Sequence, residues 1–149
     1  MLSPLTIIEP EGLHNVPQQE FEEVVLTVDS GASETVVKKS TLASMKTTES
    51  EAQRRGIRYE VANAEIIANE GEKAFVGITE EGSKRGVRAQ VCDVNRDLLS
   101  VSRVVKGNNM VLFHPLGSFI QDLETGEKVW LKENAGTYTL SLWVKNQGF

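Results

Sequence analysis

The residues with the clearest chemical potential form a short run, Asp29-Ser30-Gly31, at the end of an apolar, β-branched segment. A carboxylate at the end of a strand, followed by a hydroxyl residue and a glycine, is suited to acid–base chemistry by a pair of carboxylates. Gly31 lacks a Cβ, so backbone amides and a substrate can come close to the carboxylate. The Ser30 hydroxyl can hold the loop by hydrogen bonds. This run predicts one half of a two-carboxylate site.

Such a reaction needs two carboxylates that share one proton, one to take a proton from water and one to donate a proton to a carbonyl. Like charges about 3 Å apart cannot both ionise, so the pKa values of the pair separate. The chain has only one Asp-Ser/Thr-Gly sequence, because the other aspartates, Asp93, Asp97 and Asp122, precede Val, Leu and Leu. The second carboxylate must then come from a second copy, with Asp29 beside a two-fold axis.

Strands are expected to position this run. Phe21 to Val28 is rich in β-branched residues and ends at the chemical run, and the apolar and polar residues from Ile57 to Val61 alternate with the period of a strand. Turn sequences rich in Gly, Pro and Asn separate the later apolar runs. The remaining predicted strands are Val36-Val37, Phe75–Thr79, Val87–Val94, Met110–Phe113, Ser118–Leu123, Val129–Lys132 and Thr137–Val144.

One clear helix is predicted, over residues 97–106, with Asp97 as its N-cap and Gly107 as its left-handed stop. Residues 40–55 are expected to form a helical or irregular crossover. Residues 1–20 are predicted to be a loosely held arm with one possible edge strand, and residues 21–149 a single domain. The pattern favours a mainly β fold, a barrel or a sandwich.

Charge and composition exclude several classes of function. Sixteen basic and twenty-one acidic residues give a net charge of −5, and the basic residues are scattered, so no nucleic-acid partner is expected. The longest apolar run has four residues, so no membrane association is expected. Neither a secretory signal nor a mitochondrial presequence is expected, because the first 37 residues lack Lys and Arg.

The remaining candidate residues are better explained as structural. The single cysteine, Cys92, cannot form an internal disulfide, which fits a reducing compartment, and its strand-like context predicts an unreactive thiol. The two histidines lack zinc-ligand spacing, so no metal and no cofactor are predicted. His114 precedes a proline and is interpreted as a turn residue, and Trp130 and Trp143 as core or interface anchors.

Four segments together resemble a known family. Residues 29–33 are similar to an Asp-Ser/Thr-Gly-Ala-Ser loop, and residues 93–104 to a segment that ends in Asn-Leu-Leu-Ser-Val and a helix. Residues 107–113 are similar to the strand that follows that helix, and residues 59–67 occupy the place of a hairpin flap. The chain resembles the retropepsin-like aspartic proteases, and among them the protease region of Copia-type retrotransposon polyproteins.

The resemblance implies a closed β barrel acting as a homodimer that holds a peptide or polyprotein substrate under two flaps. The residues past the predicted helix exceed the short retroviral form and are expected to be a C-terminal β extension. It implies a cytoplasmic location, including one within virus-like particles. It also implies Asp29 as the catalytic carboxylate and Ser30 as the hydroxyl that holds the partner's loop, with Gly31 in the same active-site loop. The substrate-binding residues that it implies are Ala32, Ser33, Asn63 and Ala64.

Two functions from different classes remain open on the sequence. One is an endopeptidase that cuts its own polyprotein. The other is a catalytically silent domain of the same fold that serves as a dimerisation or peptide-binding module. The presence of Asp29 favours the first, because a silent domain has no chemical reason to keep this carboxylate.

Overall fold

The computed structural model describes residues 20–61 and 63–146 of the chain. These residues form a mainly β structure, as predicted, with two short helices, α1 (Glu51–Arg54) and α2 (Val101–Lys106). The predicted N-terminal arm and its edge strand lie outside the described residues, apart from Glu20. The strands are β1 (Phe21–Asp29), β2 (Val36–Val37), β3 (Arg58–Glu60), β4 (Ile66–Ala68), β5 (Glu72–Ile78), β6 (Lys84–Val91), β7 (Leu98–Ser100), β8 (Asn109–Leu112), β9 (Ser118–Asp122), β10 (Lys128–Asn134) and β11 (Thr137–Lys145).

Nine of these strands belong to one sheet, in the order β1-β7-β2-β6-β5-β11-β10-β9-β8. β1 also pairs with β11, antiparallel, from Phe21 opposite Lys145 to Thr27 opposite Thr139. β3 and β4 form a separate two-stranded hairpin. The C-terminal strand is therefore an integral part of the sheet, because it joins β1 on one side to β5 and β10 on the other.

The core lies on the inward faces of alternating strands. In β1, Val24 and Leu26 are buried while Val25 between them is exposed, and β5 shows the same alternation. β11 contributes Leu140, Leu142 and Val144 to the same buried cluster. A side chain on Gly77 of β5 would meet the Cβ of Leu142 at 2.7 Å, so glycine is required where these two strands pack closely.

The prediction of a helix over residues 97–106 is wrong at its N-terminal end. Residues 98–100 are extended, as β7, because they pair in parallel with β1, and the helix begins at Val101 with Ser100 as its N-cap. Asp97 does not cap the helix. Gly107 has a φ of −84°, and Asn108, with a φ of 66°, is the left-handed residue that follows the helix.

One helical turn, α1, lies within the predicted crossover, where the sequence left a helix open, so the described residues contain two short helices and not one. The Ser50 hydroxyl accepts a hydrogen bond from the Gln53 N–H at 3.0 Å and so caps this turn. The rest of residues 40–55 is irregular, as one of the two predicted alternatives had it.

The turn between β10 and β11 shows how local sequence sets the register of a hairpin. Asn134 lies opposite Thr137, so the loop contains only Ala135 and Gly136. Both have a positive φ, 54° and 85°, which is the conformation that a two-residue turn needs to match the twist of its strands. The predicted turn is confirmed.

Candidate functional site

Strand β1 carries Asp29 to the edge of the core. The strand is fixed on one side by seven residue pairs with β11 and on the other by β7, with Asp29 opposite Ser100 in parallel register. Val24 and Leu26 anchor its inward face, and the Asp29 side chain at its end is half-buried. The predicted catalytic residue therefore stands at the end of a strand that is held on both sides.

The segment from Asp29 to Ala32, here called the Asp29 turn, folds back on the carboxylate. The Gly31 N–H donates a hydrogen bond to Asp29 Oδ1 at 2.8 Å, and the Ala32 N–H approaches the Asp29 carbonyl oxygen at 3.5 Å. A Cβ on residue 31 would lie 3.3 Å from Asp29 Oδ1, so a side chain there would crowd the carboxylate. The structure thus explains why a glycine follows Ser30, which is exposed.

The junction of β7 and α2 holds the far side of this turn. Ser100 Oγ donates to the Ala32 carbonyl oxygen at 2.7 Å, and the Ser100 N–H donates to Thr35 Oγ1 at 3.0 Å. On α2, the Arg103 guanidinium makes two hydrogen bonds to the Glu34 carboxylate, the one from Nε at 3.1 Å, and this pairing raises the pKa of Arg103. These contacts leave no local signal in the sequence, because they join segments that are 65 to 69 positions apart.

The hairpin predicted as a flap is present as β3 and β4, with Arg58 paired to Ala68 and Glu60 to Ile66. At its tip, Asn63 Oδ1 accepts a hydrogen bond from the Glu65 N–H at 3.0 Å. Ala64 has a φ of 68°, the left-handed conformation, and both tip residues are exposed. The tip is thus held by local hydrogen bonds and carries a strained alanine.

We expect Ala64→Gly to stabilise this hairpin slightly. An alanine in the left-handed region costs about 1–2 kcal/mol, whereas the added freedom of glycine in the unfolded chain costs up to about 1 kcal/mol. The expected net gain of about 0.5 kcal/mol corresponds to a roughly twofold slower amide exchange. The Val61 N–H, which donates to the Glu65 carbonyl at 2.9 Å, is the amide to measure.

The matched control is Ala135→Gly, because Ala135 is also a left-handed alanine but lies in the β10–β11 turn. It should leave the exchange of the Val61 amide unchanged. Ala64→Val should have the opposite effect to Ala64→Gly, since a β-branched residue is least tolerated at a positive φ. Faster Val61 exchange in Ala64→Gly would show that this tip is not strained.

A cleft of about 770 Å³ lies beside residues 33–35, which follow the Asp29 turn. Ser33 and Thr35 line the cleft on one side, and Tyr59 of the β3–β4 hairpin lines it on another. Its apolar wall includes Leu140 and Leu142. Burial raises the pKa of the Tyr59 hydroxyl, which accepts a hydrogen bond from Asn69 Nδ2 at 3.1 Å. Ser33 is thus brought to the cleft, whereas the other predicted site residues do not line it, namely Asp29, Ser30, Gly31, Ala32, Asn63 and Ala64.

Cys92 and His114 occupy the structural positions that their sequence contexts predict, whereas Trp130 does not lie in the core. Cys92 is fully buried, and burial raises the pKa of its thiol to about 11. His114 is a turn residue whose Nδ1 accepts from the Leu116 N–H at 3.0 Å. Trp143 is half-buried on β11, whereas Trp130 is 48% exposed and packs edge-on against Phe119.

Comparison with protein families, with curated proteins and with solved structures gave no match to this chain. Within residues 20–61 and 63–146, no group of three or more His, Cys, Asp and Glu side chains is placed to hold a metal ion. None of the helices in the described part of the chain is long and apolar enough to cross a membrane.

Proposed function

We propose that this chain is a homodimeric aspartic endopeptidase that cleaves a polyprotein, with Asp29 of each protomer as its catalytic carboxylate. We further propose a retropepsin-like closed barrel of the Copia type. The barrel is supported by the strand pairings, which run from β1 through β7, β2, β6, β5 and β11 and return to β1. The observation that carries the proposed function is the Asp29 turn, where the carboxylate at the end of β1 accepts a hydrogen bond from the Gly31 N–H at 2.8 Å.

In the proposed reaction the two Asp29 carboxyl groups share one proton across the two-fold axis. The ionised carboxylate takes a proton from a water molecule, whose oxygen attacks the carbonyl carbon of the peptide bond. The protonated carboxyl group donates its proton to the carbonyl oxygen, which gives a neutral gem-diol. Transfer of a proton to the amide nitrogen then allows the C–N bond to break.

The active-site loop and the hairpin supply the remaining proposed roles. The exposed Ser30 hydroxyl is proposed to bind the partner's loop, while Ser33, at the cleft, and Ala32 bind the substrate backbone. Asn63 and Ala64 are proposed to close over the peptide as the tip of a flap. Each hairpin would then approach the substrate in the assembled dimer.

The test is cleavage of an unstructured protein by the purified chain between about pH 4 and pH 7, with and without pepstatin. We expect cleavage that pepstatin abolishes. We also expect the rate at high dilution to fall with the square of the protein concentration, because two half-sites must meet. Absence of cleavage at every pH by a folded dimer would favour a peptide-binding or dimerisation module instead.

A further inference from the structure

One residue, Ser100, contacts both ends of the Asp29 turn. Its backbone lies opposite Asp29 in the parallel pairing of β1 and β7. Its side-chain hydroxyl donates to the carbonyl oxygen of Ala32, at the other end of the turn, at 2.7 Å. The Gly31 N–H that binds the carboxylate therefore lies between two points that are both fixed by Ser100.

The Ser100 hydroxyl makes two hydrogen bonds, one as donor and one as acceptor. Its proton is donated to Ala32, and its oxygen accepts the Arg103 N–H at 3.1 Å, which caps α2. Ser100 is 0% exposed and both hydrogen bonds are part-buried, so removing the hydroxyl costs more than it would at an exposed position. Loss of the hydroxyl would release the Ala32 peptide and allow the Asp29 turn to change its orientation.

We propose that Ser100 is a positioning residue that fixes the Gly31 N–H against the Asp29 carboxylate and so orients this carboxylate for the reaction. The inference rests on the proposed endopeptidase function. Ser100 does not touch substrate in this scheme. It acts through Ala32 and Gly31, and a displacement of a reacting group by about 1 Å can cost on the order of 100-fold in rate.

The test is the kinetics of Ser100→Ala at a protein concentration that keeps the dimer assembled. We expect kcat to fall at least about tenfold while KM rises by a smaller factor, because the released Ala32 is only one of the proposed substrate-binding residues, and Ser33, Asn63 and Ala64 are retained. Ser100→Thr keeps the hydroxyl and should restore most of kcat. If Ser100→Ala does not fold, Ser100→Cys, whose thiol is a weaker donor, replaces it.

The matched control is Ser118→Ala. Ser118 is also buried, at 4% exposure, and its Oγ accepts the His114 N–H at 3.1 Å, but it lies at the start of β9 and outside the proposed site. Ser118→Ala should lower the free energy of unfolding and leave kcat unchanged. An equal loss of kcat in both variants, or an unchanged kcat in Ser100→Ala, would overturn the role of Ser100.

A second readout separates this inference from the proposed function. The Gly31 amide proton, which donates to Asp29 Oδ1, should shift upfield in the NMR spectrum of Ser100→Ala and stay in place in Ser118→Ala. If the unmodified protein cleaves nothing, the proposed function fails, and the Gly31 resonance still decides whether Ser100 orients the turn. An unshifted resonance would reject the inference.

Discussion

Replacing Asp29 by Asn is expected to abolish cleavage, with a loss of at least about 1,000-fold in kcat/KM, because an amide can neither take a proton from water nor return one to the carbonyl. The fold should remain intact, since the asparagine oxygen can still accept the Gly31 N–H and the strand pairing of β1 is unchanged. Asp93→Asn makes the same chemical change at an exposed position and should keep full activity. The measurement is the initial rate of cleavage, with thermal unfolding as the check on folding.

A mixing experiment with this variant tests whether two chains share the site. When a fixed amount of unmodified protein re-equilibrates with a ninefold excess of Asp29→Asn, only about one tenth of its chains will find an unmodified partner. Activity should fall to about one tenth, since a mixed dimer has one carboxylate. The same excess of Asp93→Asn should raise activity instead. Activity that the Asp29→Asn excess leaves unchanged would mean that one chain holds a complete site.

The parts of the molecule that the sequence predicted well are those that depend on neighbouring residues. The strand from Phe21 and the turn at Asp29 follow from a β-branched run that stops at a glycine. The hairpin with its tip at Asn63 was expected from the resemblance to a family, whereas the two-residue turn at Ala135 and Gly136 follows from local turn chemistry. Such features need no knowledge of distant pairing.

The parts that the sequence missed depend on contacts between distant segments. Leu98 and Leu99 were predicted to begin a helix, yet their pairing with Thr27 and Val28, some seventy positions earlier, holds them in a strand. Parallel pairing leaves no local sequence signal, since it requires a crossover connection. For the same reason the bond from Ser100 to Ala32 could not be predicted.

Asp97 is another residue whose contacts join distant segments of the chain. We expect Asp97→Ala to lower the free energy of unfolding by about 3 kcal/mol. Its carboxylate accepts the Lys38 N–H at 2.8 Å and the Thr41 hydroxyl at 2.7 Å, and the residue is only 8% exposed. Truncation leaves both donors without their acceptor, the Thr41 hydroxyl in a buried position and the Lys38 N–H in a part-buried one. Because neither donor is near Asp97 in the chain, the sequence suggested only a helix cap.

Two further variants separate the burial of Asp97 from its hydrogen bonds. Asp97→Asn keeps an oxygen for the Lys38 N–H and places an amide against the Thr41 hydroxyl, so about 1 kcal/mol is expected to be lost. Asp122→Ala removes a carboxylate that also accepts two N–H groups, from Glu124 at 2.8 Å and Thr125 at 3.2 Å, in an exposed turn. Its loss should be smaller, because water can replace the carboxylate there. The free energy of unfolding of all three variants is measured in guanidinium at matched protein concentration. Equal losses of this free energy in Asp97→Ala and Asp122→Ala would show that Asp97 does not hold residues 38–41 against β7.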